Sequence, residues 1–170
     1  MTFALLAMFT CTTFAAQVQS TIGFVIISGA EFKTADYYKM IQSEFKSKSG
    51  AKFQFGNELQ SKYQRYLLEN DLVGNTIPRK QNLIDFTARS SCDKILFLFV
   101  DSTTDHQNNA KSRQKDRLTV QIDGYLCDKF SVREVVTSAQ ESNSKTSDLR
   151  ARREAFKKCL KEISKSLPNL

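Results

Sequence analysis

The chain has 170 residues, among them no tryptophan, a single histidine and four cysteines. No Cys-x-x-Cys pair occurs, so thioredoxin-type and cysteine-rich zinc sites have no support. His106 has no second imidazole with which to define a metal geometry, and no metal site is expected. The glycines form neither Gly-x-x-x-x-Gly-Lys nor the repeated pattern of a dinucleotide fold, so Ser28-Gly29-Ala30 reads as an ordinary strand exit. Gly-x-Ser-x-Gly, His-Glu-x-x-His and calcium-loop patterns are missing too. No cofactor is therefore expected. Low-complexity runs and internal repeats are absent as well, which leaves a globular chain.

Charge is missing from one whole segment. Met1 to Ala15 carries none, and Phe3, Leu5, Leu6, Met8, Phe9 and Phe14 make it apolar. It falls short of the roughly 20 apolar residues that a bilayer span needs. Thr13 and Ala15 satisfy the small-x-small rule, so residues 1–15 read as an export signal cut after Ala15. Such a signal ordinarily opens with Lys or Arg, and here only the start amine is positive, which raises the alternative of a start further upstream. A buried or membrane-surface helix is a second reading of the segment. A lipidated Cys11 is a third, although Met8-Phe9-Thr10 places no small residue before it. On the first reading residues 16–170 form one extracytoplasmic domain, periplasmic or secreted, long enough for a real core. The net charge of +7 then falls entirely on that domain and favours acidic partners.

The pattern along the rest of the chain predicts an α/β (α+β) domain. Thr21 to Ile27 is an apolar run without alternation, as in a strand buried on both faces. Thr34 caps a helix carrying Tyr38, Ile41 and Phe45, closed by Gly50. Lys52 to Phe55 alternates as a short strand. Asn57 caps a helix with Leu59, Tyr63, Tyr66 and Leu67 at helical spacing. Pro78 suits the first turn of a third helix running through Leu83, Ile84 and Thr87. Lys94 to Val100 should be the central strand. Residues 102–116 hold one apolar residue, Ala110, and read as an exposed, mobile loop. Leu118, Val120 and Ile122 alternate with Thr119, Gln121 and Asp123, Gly124 suggests a bulge, and Val132 to Ala139 supplies another strand. A last helix over 147–167 carries Leu149, Phe156, Leu160, Ile163 and Leu167 and stops at Pro168. The order βαβααβββα gives a single domain with a mixed sheet packed with helices.

This outline resembles small exported α/β modules: an opening strand Gly23 to Ile27, a helix Pro78 to Thr87, the strand Cys92-Asp93-Lys94-Ile95-Leu96-Phe97, then a hairpin and a final helix. It is similar to the amino-terminal domain of the Tol translocation protein B and to the periplasmic core of curli-secretion lipoproteins. There a helix leads into a residue-Ala-Asp-x-hydrophobic strand, and here Ser91-Cys92-Asp93-Lys94-Ile95 takes that place. The resemblance covers most of residues 21–167. It implies an assembly or binding role in the cell envelope, and no functional residue is carried across.

Three groups of side chains invite chemistry. Asp101, Asp105 and His106 are the one acid–base set, at the end of the central strand and in the following loop, where α/β enzymes often place catalysts. A metal-dependent or acid/base hydrolase centred on them is the alternative to a binding role. Arg150, Arg153, Lys157, Lys161 and Lys165 recur at helical spacing as a stripe beside the apolar one, and the loop adds Lys111, Arg113, Lys115 and Arg117. Together they would suit an anionic polymer, lipid head groups or an acidic envelope protein. Extracytoplasmic nucleic-acid binding is a third possibility, disfavoured because no aromatics interleave with the basic residues. Finally, pairing Val100 with about Leu118 brings Cys92 close to Cys127, so a disulfide between them is expected. Cys159 reads as a buried hydrophobe. The sequence is best explained as an exported, non-enzymatic accessory or binding module of the cell envelope.

Overall fold

A computed structural model describes residues 20–45, 51–54, 56–73, 79–107, 115–142 and 147–167, the side chains at 106, 107, 115, 116 and 142 excepted. The expected signal 1–15, the breaks at Gly50, Pro78 and Pro168, and the basic residues Lys111 and Arg113 lie outside the described residues.

Strand β1 (Thr21–Ile27) is followed by a short 3-10 turn (Ala30–Phe32), helix α1 (Ala35–Phe45), strand β2 (Lys52–Gln54), and helices α2 (Asn57–Glu69) and α3 (Lys80–Arg89). Strands β3 (Lys94–Gln107), β4 (Lys115–Cys127) and β5 (Val132–Ser142) come next, and helix α4 (Asp148–Ser166) ends the order. The sheet runs β2-β1-β3-β4-β5, parallel across β2, β1 and β3 and antiparallel from β3 to β5. The mixed sheet, the central position of β3 and the single α+β domain are as the pattern predicts.

Alternation along the strands splits the core into two layers. Phe24, Ile26, Leu96, Leu98, Val120 and Ile122 pack beneath α1 and α4. Val25, Ile95 and Phe97 pack on the other side, against Leu59 and Tyr63 of α2 and Leu83 and Phe86 of α3. This is why β1 and β3 read as continuous apolar runs: helices cover both of their faces.

Several local expectations are corrected. Of the expected loop 102–116, residues 102–107 and 115–116 are strand: β3 continues through Gln107 and β4 begins at Lys115, and the two pair antiparallel, while 108–114 lie outside the described residues. The longer strands move the register by four residues. Val100 faces Ile122, and Leu118 faces Thr104. Gly124 makes no bulge, since the ladder on either side of it is unbroken. A Cβ there would meet the Val135 carbonyl at 3.3 Å and Ile163 Cδ1 at 3.5 Å, so glycine lets α4 lie close to the sheet. In α1 the buried tyrosine is Tyr37, with Tyr38 half-buried. Asn57 is the first residue of α2, preceded by Gly56 at φ +113°, a conformation that favours glycine. Leu149 is on the same helical face as Phe156 but 51% exposed in the first turn of α4, so the buried face starts at Ala151 and runs through Ala155, Phe156, Cys159, Leu160 and Ile163 to Leu167.

The expected Cys92–Cys127 bridge is also corrected. Cys92, Cys127 and Cys159 are all free thiols. The observed register sets Cys127 opposite Ile95, three residues beyond Cys92. Cys92 lies before β3, and its Sγ is 3.2 Å from Gln54 Oε1. Burial raises all three thiols, Cys127 up to about 12, which keeps them protonated and unreactive.

Candidate functional surface

The two carboxylates of the acid–base set do not converge. Asp101 and Asp105 are exposed on one face of an extended strand, four residues apart. Their Cα atoms are therefore roughly 13 Å apart, too far to share a proton or a reacting atom. Asp101 Oδ1 accepts from its neighbour, the Ser102 backbone N–H, at 2.8 Å. Asp105 stands opposite Arg117, a cross-strand pair of opposite charge. The His106 backbone pairs with Asp116, and its side chain lies outside the described atoms. Among the described residues no group of three or more His, Cys, Asp or Glu could hold a metal ion.

The basic residues form a real surface, with a different composition from the expected stripe. Ser147 caps α4, its side chain accepting from the Arg150 N–H, and Asp148 sits in the first turn near the positive end of the helix dipole. Because Ala151, Ala155, Cys159 and Ile163 define the buried face, the exposed Arg150, Lys157 and Lys161 point nearly opposite the core instead of beside it. Among the described residues these three have no ion pair.

The remaining cations of α4 are engaged. Arg153 pairs with Asp36 of α1, and Lys158 pairs with Glu141 of β5. Lys165 reaches Glu162 at 2.7 Å. Arg152, absent from the expected stripe, lies over the Phe32 ring at 5.8 Å. Arg152 and Arg153 also flank buried Tyr37, whose hydroxyl pKa is raised by desolvation and opposed by the two guanidinium charges. These two arginines thus tie α4 to α1 and the 3-10 turn. Of the hairpin set, Arg117 is exposed on β4, and Lys115 is placed by its backbone alone.

Two surface features were missed in the sequence. On the face away from α4, helices α2 and α3 leave a polar area of sheet open, with Asp101, Gln121, Val136 and Ser138 exposed. Its signal was the alternation of polar residues along β4. The second is the turn between β4 and β5, where Phe130 is 91% exposed. Asp128 braces that turn: its Oδ1 accepts the Phe130 and Ser131 N–H groups, each at 2.7 Å, and its Oδ2 accepts the Ser131 hydroxyl at 2.8 Å. Those bonds hold the Asp128 carboxyl below the usual range. Among the described residues no helix is long and apolar enough to cross a membrane.

No protein-family model and no curated protein matches this sequence. Solved structures do. A hypothetical protein from Chlamydia trachomatis aligns with a TM-score of 0.51 at 8% identity, over 88% of this chain and 96% of that one. A lipoprotein from Neisseria meningitidis gives 0.45 at 12% identity, over 89% and 99%. A minor lipoprotein from Acinetobacter baumannii gives 0.38 at 8% identity, over 86% and 87%. None of these three is a Tol or curli-secretion protein. At these identities the likeness bears on the fold alone, and the chlamydial protein agrees with a single α+β domain built on this mixed sheet.

Proposed function

We propose that this protein is an exported, non-enzymatic accessory or binding module of the cell envelope that docks on an acidic partner through the outward face of α4. The observation that carries the docking surface is the set Arg150, Lys157 and Lys161: exposed, on one side of one helix, and without an ion pair among the described residues. The uncharged, apolar Met1 to Ala15 supports export. The net charge of +7 supports an anionic partner, whether an acidic envelope protein, a polymer or lipid head groups. The separation of Asp101 from Asp105 argues against a catalytic centre there.

Binding to vesicles containing an anionic phospholipid, and to an acidic polysaccharide, tests this reading across a salt series. Replacing Arg150, Lys157 and Lys161 together by Glu should weaken binding at low salt and flatten its salt dependence. Arg153 is left in place because it holds α1. Binding by the wild type that is untouched by the triple replacement would refute the assignment of this face, and duplex binding in preference to both probes would favour a nucleic-acid role.

A further inference from the structure

β5 is the long open edge of the sheet. It pairs with β4 on one side, and among the described residues no strand lies beyond it. The other edge, β2, is three residues long, whereas β5 runs for eleven. Edge strands are ordinarily blunted by proline, bulges, lysines or brevity. β5 has no proline, bulge or lysine, and its charges, Arg133, Glu134 and Glu141, sit near its two ends: Val135-Val136-Thr137-Ser138-Ala139-Gln140 between them is uncharged and keeps an unbroken register with β4. Val136 is 57% exposed on the sheet face that α2 and α3 leave open.

We infer that β5 is a self-pairing edge, where a second copy of this chain adds its own β5 antiparallel and joins two sheets into one. In such a pair directly opposed residues share a sheet face, and a twofold axis normal to the sheet centres the register on one residue. Full overlap of Val132–Ser142 centres it on Thr137. Arg133 of each copy then faces Glu141 of the other, Val135 faces Ala139, and Val136 faces Ser138. Both ends of the pairing carry opposite charges, and no like charges meet. Centring on Val136 sets Arg133 against Ala139, and centring on Ser138 sets Glu141 against Val135, so either shift loses both charge pairs. In the centred register the two Val136 side chains become diagonal neighbours, within about 8 Å, and shield each other from water. Glu141, already paired with Lys158, would take Arg133 of the second copy as a further partner. Both α4 helices then lie on the same side of the joined sheet.

Sedimentation of the purified chain across a micromolar concentration series tests this, together with hydrogen exchange over 132–142. The wild type is expected to dimerise, with exchange in β5 slowing as concentration rises. Arg133→Glu should weaken the dimer roughly tenfold by setting Glu against Glu141 at both ends. Exchanging the two charges, Arg133→Glu with Glu141→Arg, together with Lys158→Glu so that the pair with α4 is kept, should restore it, which a mere loss of fold could not do. Val136→Lys, at an exposed position, should weaken the dimer while the monomer stays folded. The inference is overturned by a monomer at every concentration, by a dimer whose β5 stays unprotected, by indifference to Arg133→Glu or Val136→Lys, or by a charge exchange that fails to restore pairing.

Discussion

Gln60 shows how one side chain completes the backbone of this sheet. β2 pairs with β1 over Thr21 to Gly23, and among the described residues no strand lies beside β1 on that side beyond Gly23. Gln60, on α2 and 7% exposed, fills the gap: its Oε1 accepts the Ile26 N–H at 3.0 Å and the Tyr38 hydroxyl at 3.4 Å. A buried N–H left without an acceptor costs about 1–3 kcal/mol. Gln60→Leu keeps the volume and removes the acceptor, so urea denaturation should show a loss of about that size. An unchanged midpoint would mean that the strand finds its acceptor elsewhere. In the sequence Gln60 was indistinguishable from a solvated helix residue, because only the shortness of β2 gives it a task.

At the scale of elements, α4 depends on its apolar face far more than on its charges. Phe156 is fully buried, with ring centroids 4.8 Å from Tyr37 and 5.8 Å from Phe32. Phe156→Ala opens a cavity where α4, α1 and the 3-10 turn meet, and should cost about 3–5 kcal/mol. The Arg153–Asp36 pair links the same elements, but its side chains are 40% and 50% exposed. Water screens such a pair, so Arg153→Ala should cost under about 1 kcal/mol. Thermal or chemical denaturation of the two variants side by side checks that order. The same physics explains what the sequence revealed. β1, the inner half of β3 and α4 were legible because buried elements must repeat apolar residues at their own period. The outer half of β3, from Asp101, was not, since among the described residues no helix lies over its face away from α4. Its strand is held by the ladder to β4, whose Leu118 and Val120 are buried. A loop in its place displaced the register, and the displaced register suggested a disulfide that the observed pairing of Cys127 with Ile95 removes.

Over the whole molecule, helix cover divides the sheet into a body and an extension. The basic face of α4 was legible as a list of residues, but its division into engaged and open cations was not. Asp36 lies 117 residues from Arg153, and Glu141 meets Lys158 only once α4 folds back on the sheet. Within the body, Leu96 to Val100 are buried between two helical layers, so their amides can exchange only when much of the core opens. Beyond Asp101 the hairpin has its ladder and the single layer beneath α4, and Thr103, Thr104 and Asp105 are exposed. Native-state hydrogen exchange should therefore show two classes within one continuous strand. The amides of Leu96 to Val100 should exchange with the free energy of global unfolding and respond fully to Phe156→Ala. Those of Thr103 to Asp105 should exchange by local opening, faster by orders of magnitude, and change little in that variant. Equal protection along all of β3 would mean that the extension is a cooperative part of the core, and the uncovered sheet face would then have to be packed against something.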